Sequence, residues 1–156
     1  MEMNNTPSEI VISAEAQEHL LASNDPVLAA NKRLVYDAYR HVVIGGHAEL
    51  VERYFTPGYI QHNPNVVSGR DALAGFIRGS RPARAVEPTI ILPLIDIIAE
   101  RDLVMLAFRR EETDGTGRYF TTWFDLFRVE DGKIAEHWDP ALRSPEMLKF
   151  DPNTKR

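Results

Sequence analysis

The clearest pattern in the chain is an alternation of side chains from Tyr119 to Asp139, YFTTWFDLFRVEDGKIAEHWD. Aromatic and β-branched residues crowd Tyr119 to Arg128, a second short run spans Lys133 to Asp139, and Asp131-Gly132 separates them. Asp-Gly tolerates the positive φ angles of a type I′ turn, so the stretch is expected to form a hairpin with a two-residue turn. If Glu130 faces Lys133, unbroken pairing sets Val129 opposite Ile134, Phe127 opposite Glu136 and Asp125 opposite Trp138. Strand side chains alternate between faces, so one face would carry Tyr119, Thr121, Trp123, Asp125 and Phe127 together with Ile134, Glu136 and Trp138. Asp125 is then a carboxylate among aromatic rings. It is either a solvated or ion-paired residue on the outside of the sheet, or an acid in an apolar pocket. In the pocket, desolvation favours its neutral form and suits it to proton transfer.

The same strand period governs the residues before it. Leu103 to Glu112 reads as a strand and Asp114-Gly115-Thr116-Gly117 as its turn. If Thr113 faces Arg118, then Leu106, Phe108 and Arg110 share the face of Asp125, Trp123 and Thr121. Thr89 to Ala99 is apolar on both faces, and Pro93 within it marks a bulge or an edge. Asp96 is either a second pocket acid or a strand-end ion pair.

The first half of the chain has the helical period. Asp25-Pro26 starts a helix, with Asp as cap and Pro in the first turn, and Gly45-Gly46 ends it. A second helix is expected from His47 to Phe55, and a third from Gly69 to Arg78, with Ser68 as cap and Asp71 in the capping-box position. Between these two, Tyr59 to Pro64 is extended and then turns, which leaves His62 and Asn63 as site residues or as simple turn residues. Arg78, Arg81 and Arg84 lie near no glycine-rich cradle, so a solvated loop is expected there, not a phosphate site. The organisation is read as an N-terminal extension over 1–24, one α+β domain over 25–140 and a tail over 141–156.

Composition narrows the function. The 156 residues include 18 Lys and Arg against 23 Asp and Glu, a formal charge of -5, so neither nucleic acid nor an anionic membrane surface is an expected partner. Cysteine is absent, which removes disulfides and thiolate chemistry. The first residues hold no basic leader or continuous apolar segment, so a cytoplasmic location is expected. No His, Asp or Glu pair has a convincing metal-ligand spacing, so no metal is expected.

Three helices followed by hairpin-linked strands describe an α+β domain whose curved antiparallel sheet closes over helices to leave a pocket. Three features then carry a specific resemblance. They are His62-Asn63-Pro64 after the second helix, Phe124 to Arg128, and Asp131 to Ile134 leading into Glu136-His137-Trp138-Asp139. In these the chain resembles the SnoaL-like branch of the nuclear-transport-factor-two-like superfamily, over roughly Val27 to Asp139. The resemblance implies a cone-shaped α+β barrel, a homodimer formed through the sheet, and a small apolar or aromatic ligand. It also implies an intramolecular aldol condensation without metal or organic cofactor, with Asp125 as the acid and base and His62 as a pocket histidine.

Proton abstraction beside a carbonyl needs such a base and a donor for the enolate oxygen, for which His62, Asn63 and Tyr36 are candidates. Trp123, Trp138, Phe76 and Phe108 are the expected apolar lining. His137, on the opposite face in this register, and Asp139 are read as structural. The leading reading is therefore a cofactor-free lyase or isomerase for an apolar carbonyl compound. The same pocket could serve hydrolysis or dehydration, and the contrasting reading is a non-catalytic ligand-binding or dimerisation module.

Overall fold

The computed structural model describes residues 11–149. Helix α1 (Gln17–Leu20) precedes the long helix α2 (Pro26–Ala38), which continues as a π-helical turn over Tyr39–Ile44. Asp25 caps α2 as expected, its Oδ1 accepting from the Val27 amide at 2.8 Å. A 3-10 turn over Ala48–Leu50 and helix α3 (Val51–Tyr54) replace the single helix expected from His47 to Phe55. Strand β1 (Phe55–Gln61) and helix α4 (Arg70–Ser80) follow. Ser68 does not cap α4. Its hydroxyl accepts from the Gln61 amide at 2.9 Å, and Gly69, at φ 106°, stands at the N-cap.

The remaining strands are β2 (Leu94–Glu100), β3 (Leu103–Asp114), β4 (Gly117–Glu130) and β5 (Lys133–Trp138). They form one sheet in the order β1-β5-β4-β3-β2, with β1 parallel to β5 and the other neighbours antiparallel. Only Leu94 onward joins the ladder, so Pro93 sits just outside an edge strand, where its missing N–H costs nothing.

The β3–β4 register is the one the sequence suggests: Thr113 faces Arg118, Leu106 faces Asp125 and Phe108 faces Trp123. The β4–β5 hairpin departs from it. Asp131 and Gly132 take the left-handed φ angles of 49° and 73° that the turn requires, and Val129 does face Ile134. One residue further the register shifts, so that Phe127 faces His137 and Leu126 faces Trp138. The extra residue on β5 is Ala135, and both it and Ile134 are buried. Such a bulge turns every following side chain to the other face. Glu136 and Trp138 leave the face of Asp125, and His137 joins it.

The core lies between the inner face of this sheet and the helices. Val35, Val42 and Tyr39 from α2 and its π turn, and Leu73 and Ile77 from α4, meet Leu94, Ile97, Val104, Leu106, Phe127 and Ile134 from the strands. The N-terminal segment is tied to this body. Buried Gln17 donates from Nε2 to the Ile90 carbonyl at 2.9 Å and accepts from the Ile90 amide at 3.0 Å. Residues 1–10 of the expected extension and 150–156 of the expected tail lie outside the described residues.

Candidate active site

A cavity of about 210 Å³ opens between the inner sheet face and the helices. Val42 and Val43 of the π turn, Leu73, Phe76 and Ile77 of α4, and Phe55, Trp123 and Phe127 of the sheet give it apolar walls. Its polar lining gathers around one buried carboxylate. Asp125, 5% exposed, accepts from His137 Nε2 at 2.8 Å on Oδ1 and from the Tyr39 hydroxyl at 2.8 Å on Oδ2. A carboxylate taken out of water needs such donors, and here each oxygen has one.

The partners of Asp125 are themselves fixed. Gln61 Oε1 accepts from the Asn63 backbone amide at 3.0 Å, which identifies it as the oxygen of the side-chain amide. His137 Nδ1 stands 2.7 Å from that same oxygen and therefore donates to it. Gln61 Nε2 donates in turn to the Tyr59 hydroxyl at 3.0 Å. The result is a chain from Tyr59 through Gln61, His137 and Asp125 to Tyr39. Tyr39 is packed against Phe108, ring centroids 5.3 Å apart, and edge-on to Phe127. Burial, then the adjacent Asp125 carboxylate, pushes its phenol well above the ordinary tyrosine range.

A second carboxylate lines the same cavity. Asp139 Oδ2 accepts from Asn63 Nδ2 at 2.7 Å and lies 4.0 Å from His137 Nε2. One donor atom from each of Asp125, His137 and Asp139 falls within 4.8 Å of the others, a set that could hold a divalent cation. Each is already engaged by hydrogen bonds within the protein.

The residues proposed from sequence divide into two groups. Asp125, Asn63, Phe76 and Trp123 line the cavity. Phe108 lines a neighbouring pocket that shares Tyr39 and Trp123 with it. Tyr36, three residues before Tyr39, donates instead to Gln17 Oε1 at 2.6 Å, away from the cavity. His62 and Trp138 stand on the outer side of the bulged hairpin. Their rings stack 4.7 Å apart and 6° from parallel, and His62 Nε2 contacts Glu136 Oε1 at 2.7 Å. Arg128 Nε donates to the other Glu136 oxygen at 2.9 Å. Burial pushes the Glu136 carboxyl up, but the bonds from His62 and Arg128 outweigh it and hold the group below its ordinary range. Asp96 accepts from the Ile97 amide and does not line the cavity.

His137, Tyr39, Gln61 and Asp139 are the site residues that pattern reading missed. A signal for His137 was present. The unbroken register would have placed two acids, Asp125 and Glu136, on one largely apolar face with no cation directly opposite either, and a one-residue shift exchanges the second acid for a donor.

Tyr39 generates a prediction of alkaline behaviour. Its folded-state pKa is raised, so its contribution to stability is complete below about pH 10 and is lost as pH climbs through the folded value. Tyr39→Phe should lower stability in urea unfolding near neutral pH by about 1–3 kcal/mol, because Asp125 loses a donor. The same variant should show a smaller alkaline loss than the wild type. An alkaline loss identical in both proteins would refute the assignment.

The comparisons agree with this architecture. The chain resembles in structure an NTF2-like protein from Burkholderia pseudomallei K96243, at 17% identity and TM-score 0.52, with 78% of this chain and 97% of that one covered. It resembles a candidate SnoaL-like polyketide cyclase from Jannaschia sp. CCS1, at 15% identity and TM-score 0.50, over 76% of this chain and 91% of that one. An LEH-like epoxide hydrolase from M. tuberculosis matches at 18% identity and TM-score 0.50, over 70% and 80% respectively. No curated protein matches the sequence. The family model described as the SnoaL-like domain matches residues 36–137, from the end of α2 to the histidine beside Asp125, and the chain belongs to that family.

Proposed function

We propose that this protein is an enzyme that moves protons on a small apolar carbonyl compound, in an aldol condensation, a cyclisation or an isomerisation, with Asp125 as acid and base. The observation that carries the reading is the placement of a buried carboxylate, with a donor on each oxygen, in the wall of an otherwise apolar cavity. A carbonyl compound seated there would lose a proton from the carbon next to its carbonyl to an Asp125 oxygen, the C–H electrons passing to the carbonyl oxygen. The enolate then attacks a second carbonyl or takes the proton back at another carbon. Tyr39, His137 and Asn63 line the cavity and take the place of Tyr36 and His62 as groups that would turn to the enolate oxygen, each giving up a hydrogen bond it makes within the site.

One observation favours the contrasting reading, a non-catalytic ligand-binding module: both Asp125 oxygens are already engaged. A model ketone separates the two. In deuterium oxide, wild-type protein should speed exchange of the protons beside the carbonyl of tetralone, followed by NMR, and Asp125→Asn should lose about 100-fold or more of that acceleration. Equal acceleration by both proteins would remove Asp125 from the chemistry. Binding without any acceleration by the wild type would favour the module.

The outer sheet face supports a homodimer. Ile98, Phe120 and Phe124 are 49%, 59% and 38% exposed, and the strands that carry them have no second layer over that face among the described residues. A second copy would cover this apolar surface. Sedimentation should give a dimer that Phe124→Arg converts to monomer. A wild type that sediments as a stable monomer would overturn the assembly.

A further inference from the structure

Arg81 is a cation in the wall of the cavity that the proton-transfer site does not use. Among the described residues Arg33, Arg40, Arg70, Arg110, Arg118 and Arg128 each pair with a carboxylate; Arg81 is one of the arginines that do not, and no other arginine lines this cavity. Its side chain is nonetheless held in place. Nη1 donates to the Val43 carbonyl at the end of the π turn, and Nε to Ser80 Oγ at 3.3 Å. Gly46, at φ 74°, leaves room for it: a Cβ there would come within 3.0 Å of Arg81 Cγ and of the Pro82 carbonyl oxygen.

The neighbouring Arg84 satisfies the next two carbonyls, donating from Nε to Ile44 at 3.1 Å and from its backbone amide to Gly45 at 2.9 Å. Arg84 does not line the cavity. The two arginines thus share the task of closing the helix end, and only Arg81 also presents charge to the ligand space.

We infer that Arg81 recognises a carboxylate on the ligand, so that the substrate class is an apolar carbonyl compound that also bears an acid group. A guanidinium fork held by two bonds retains donors suited to a carboxylate. Asp125 and Asp139, on the sheet side of the cavity, repel the same group, so the ligand is oriented with its carboxylate at Arg81 and its carbonyl toward Asp125. This inference rests on the cavity being a ligand site, as in the proton-transfer reading, but not on turnover.

The test is calorimetric titration of naphthoate and naphthamide, which match in shape and differ in charge. Wild-type protein should bind naphthoate about tenfold more tightly than naphthamide, the effect of one charge-assisted hydrogen-bonded contact. Arg81→Gln should abolish the preference while keeping naphthamide affinity, and Arg81→Lys should retain part of it. Arg84→Gln should lower the melting temperature through the shared helix end yet leave the preference intact. Equal affinity for the two ligands in the wild type, or a preference that survives in Arg81→Gln, would overturn the role of Arg81 alone. Binding of neither ligand would overturn the ligand-site reading beneath it. The ketone exchange assay with Asp125→Asn reports separately on turnover.

Discussion

The constraint on which the rest of the structure turns is the burial of Asp125. An unpaired carboxylate in an apolar interior is costly enough to unfold a small domain, so the chain has to bring donors to both oxygens. It does so with two local irregularities. A one-residue bulge at Ala135 turns His137 inward, and a π-helical turn begins at Tyr39, whose hydroxyl reaches the other oxygen. Both departures from regular geometry occur at the site, where such features commonly carry function.

The bulge also sorts the charges of β5 between two faces. Inside, His137 is held between Asp125 and Gln61, in a cavity with apolar walls. Outside, Glu136 is held by Arg128 and His62, with Trp138 stacked beside them. The outer group is half-buried and open to solvent screening, so it adds little to stability. Its consequence is separation: the acid that would have crowded Asp125 is neutralised on the far side of the sheet.

Most of the fold could be read from the sequence because its signals were local. Asp25-Pro26, Gly45-Gly46, Asp131-Gly132 and the turn after Asp114 each specify a backbone geometry by their own chemistry, and the β3–β4 register follows from turn length. Asp125 was legible for the same reason, as a polar residue within an apolar period. His137 was not, because a single inserted residue reverses the faces and Ala135 bears no mark of a bulge that glycine would have carried. Tyr39 was hidden by its place on a helix, where Tyr36 occupied the neighbouring turn and pattern alone could not say which phenol faced the sheet. Arg81 was read as solvated because its partner, the Val43 carbonyl, belongs to a helix end distant in sequence. The family match over residues 36–137 places the chain among SnoaL-like domains, and the residues that distinguish its site depend on these non-local contacts.

The pairing of Asp125 with His137 is the central claim, and NMR of the histidine ring nitrogens tests it most directly. In the wild type, His137 Nδ1 should carry a hydrogen shielded from exchange, and the Nε2 resonance should move in Asp125→Asn but stay in place in Glu136→Gln. A His137 ring that responds to Glu136→Gln and ignores Asp125→Asn would mean that the hairpin runs without its bulge, with His137 on the outer face.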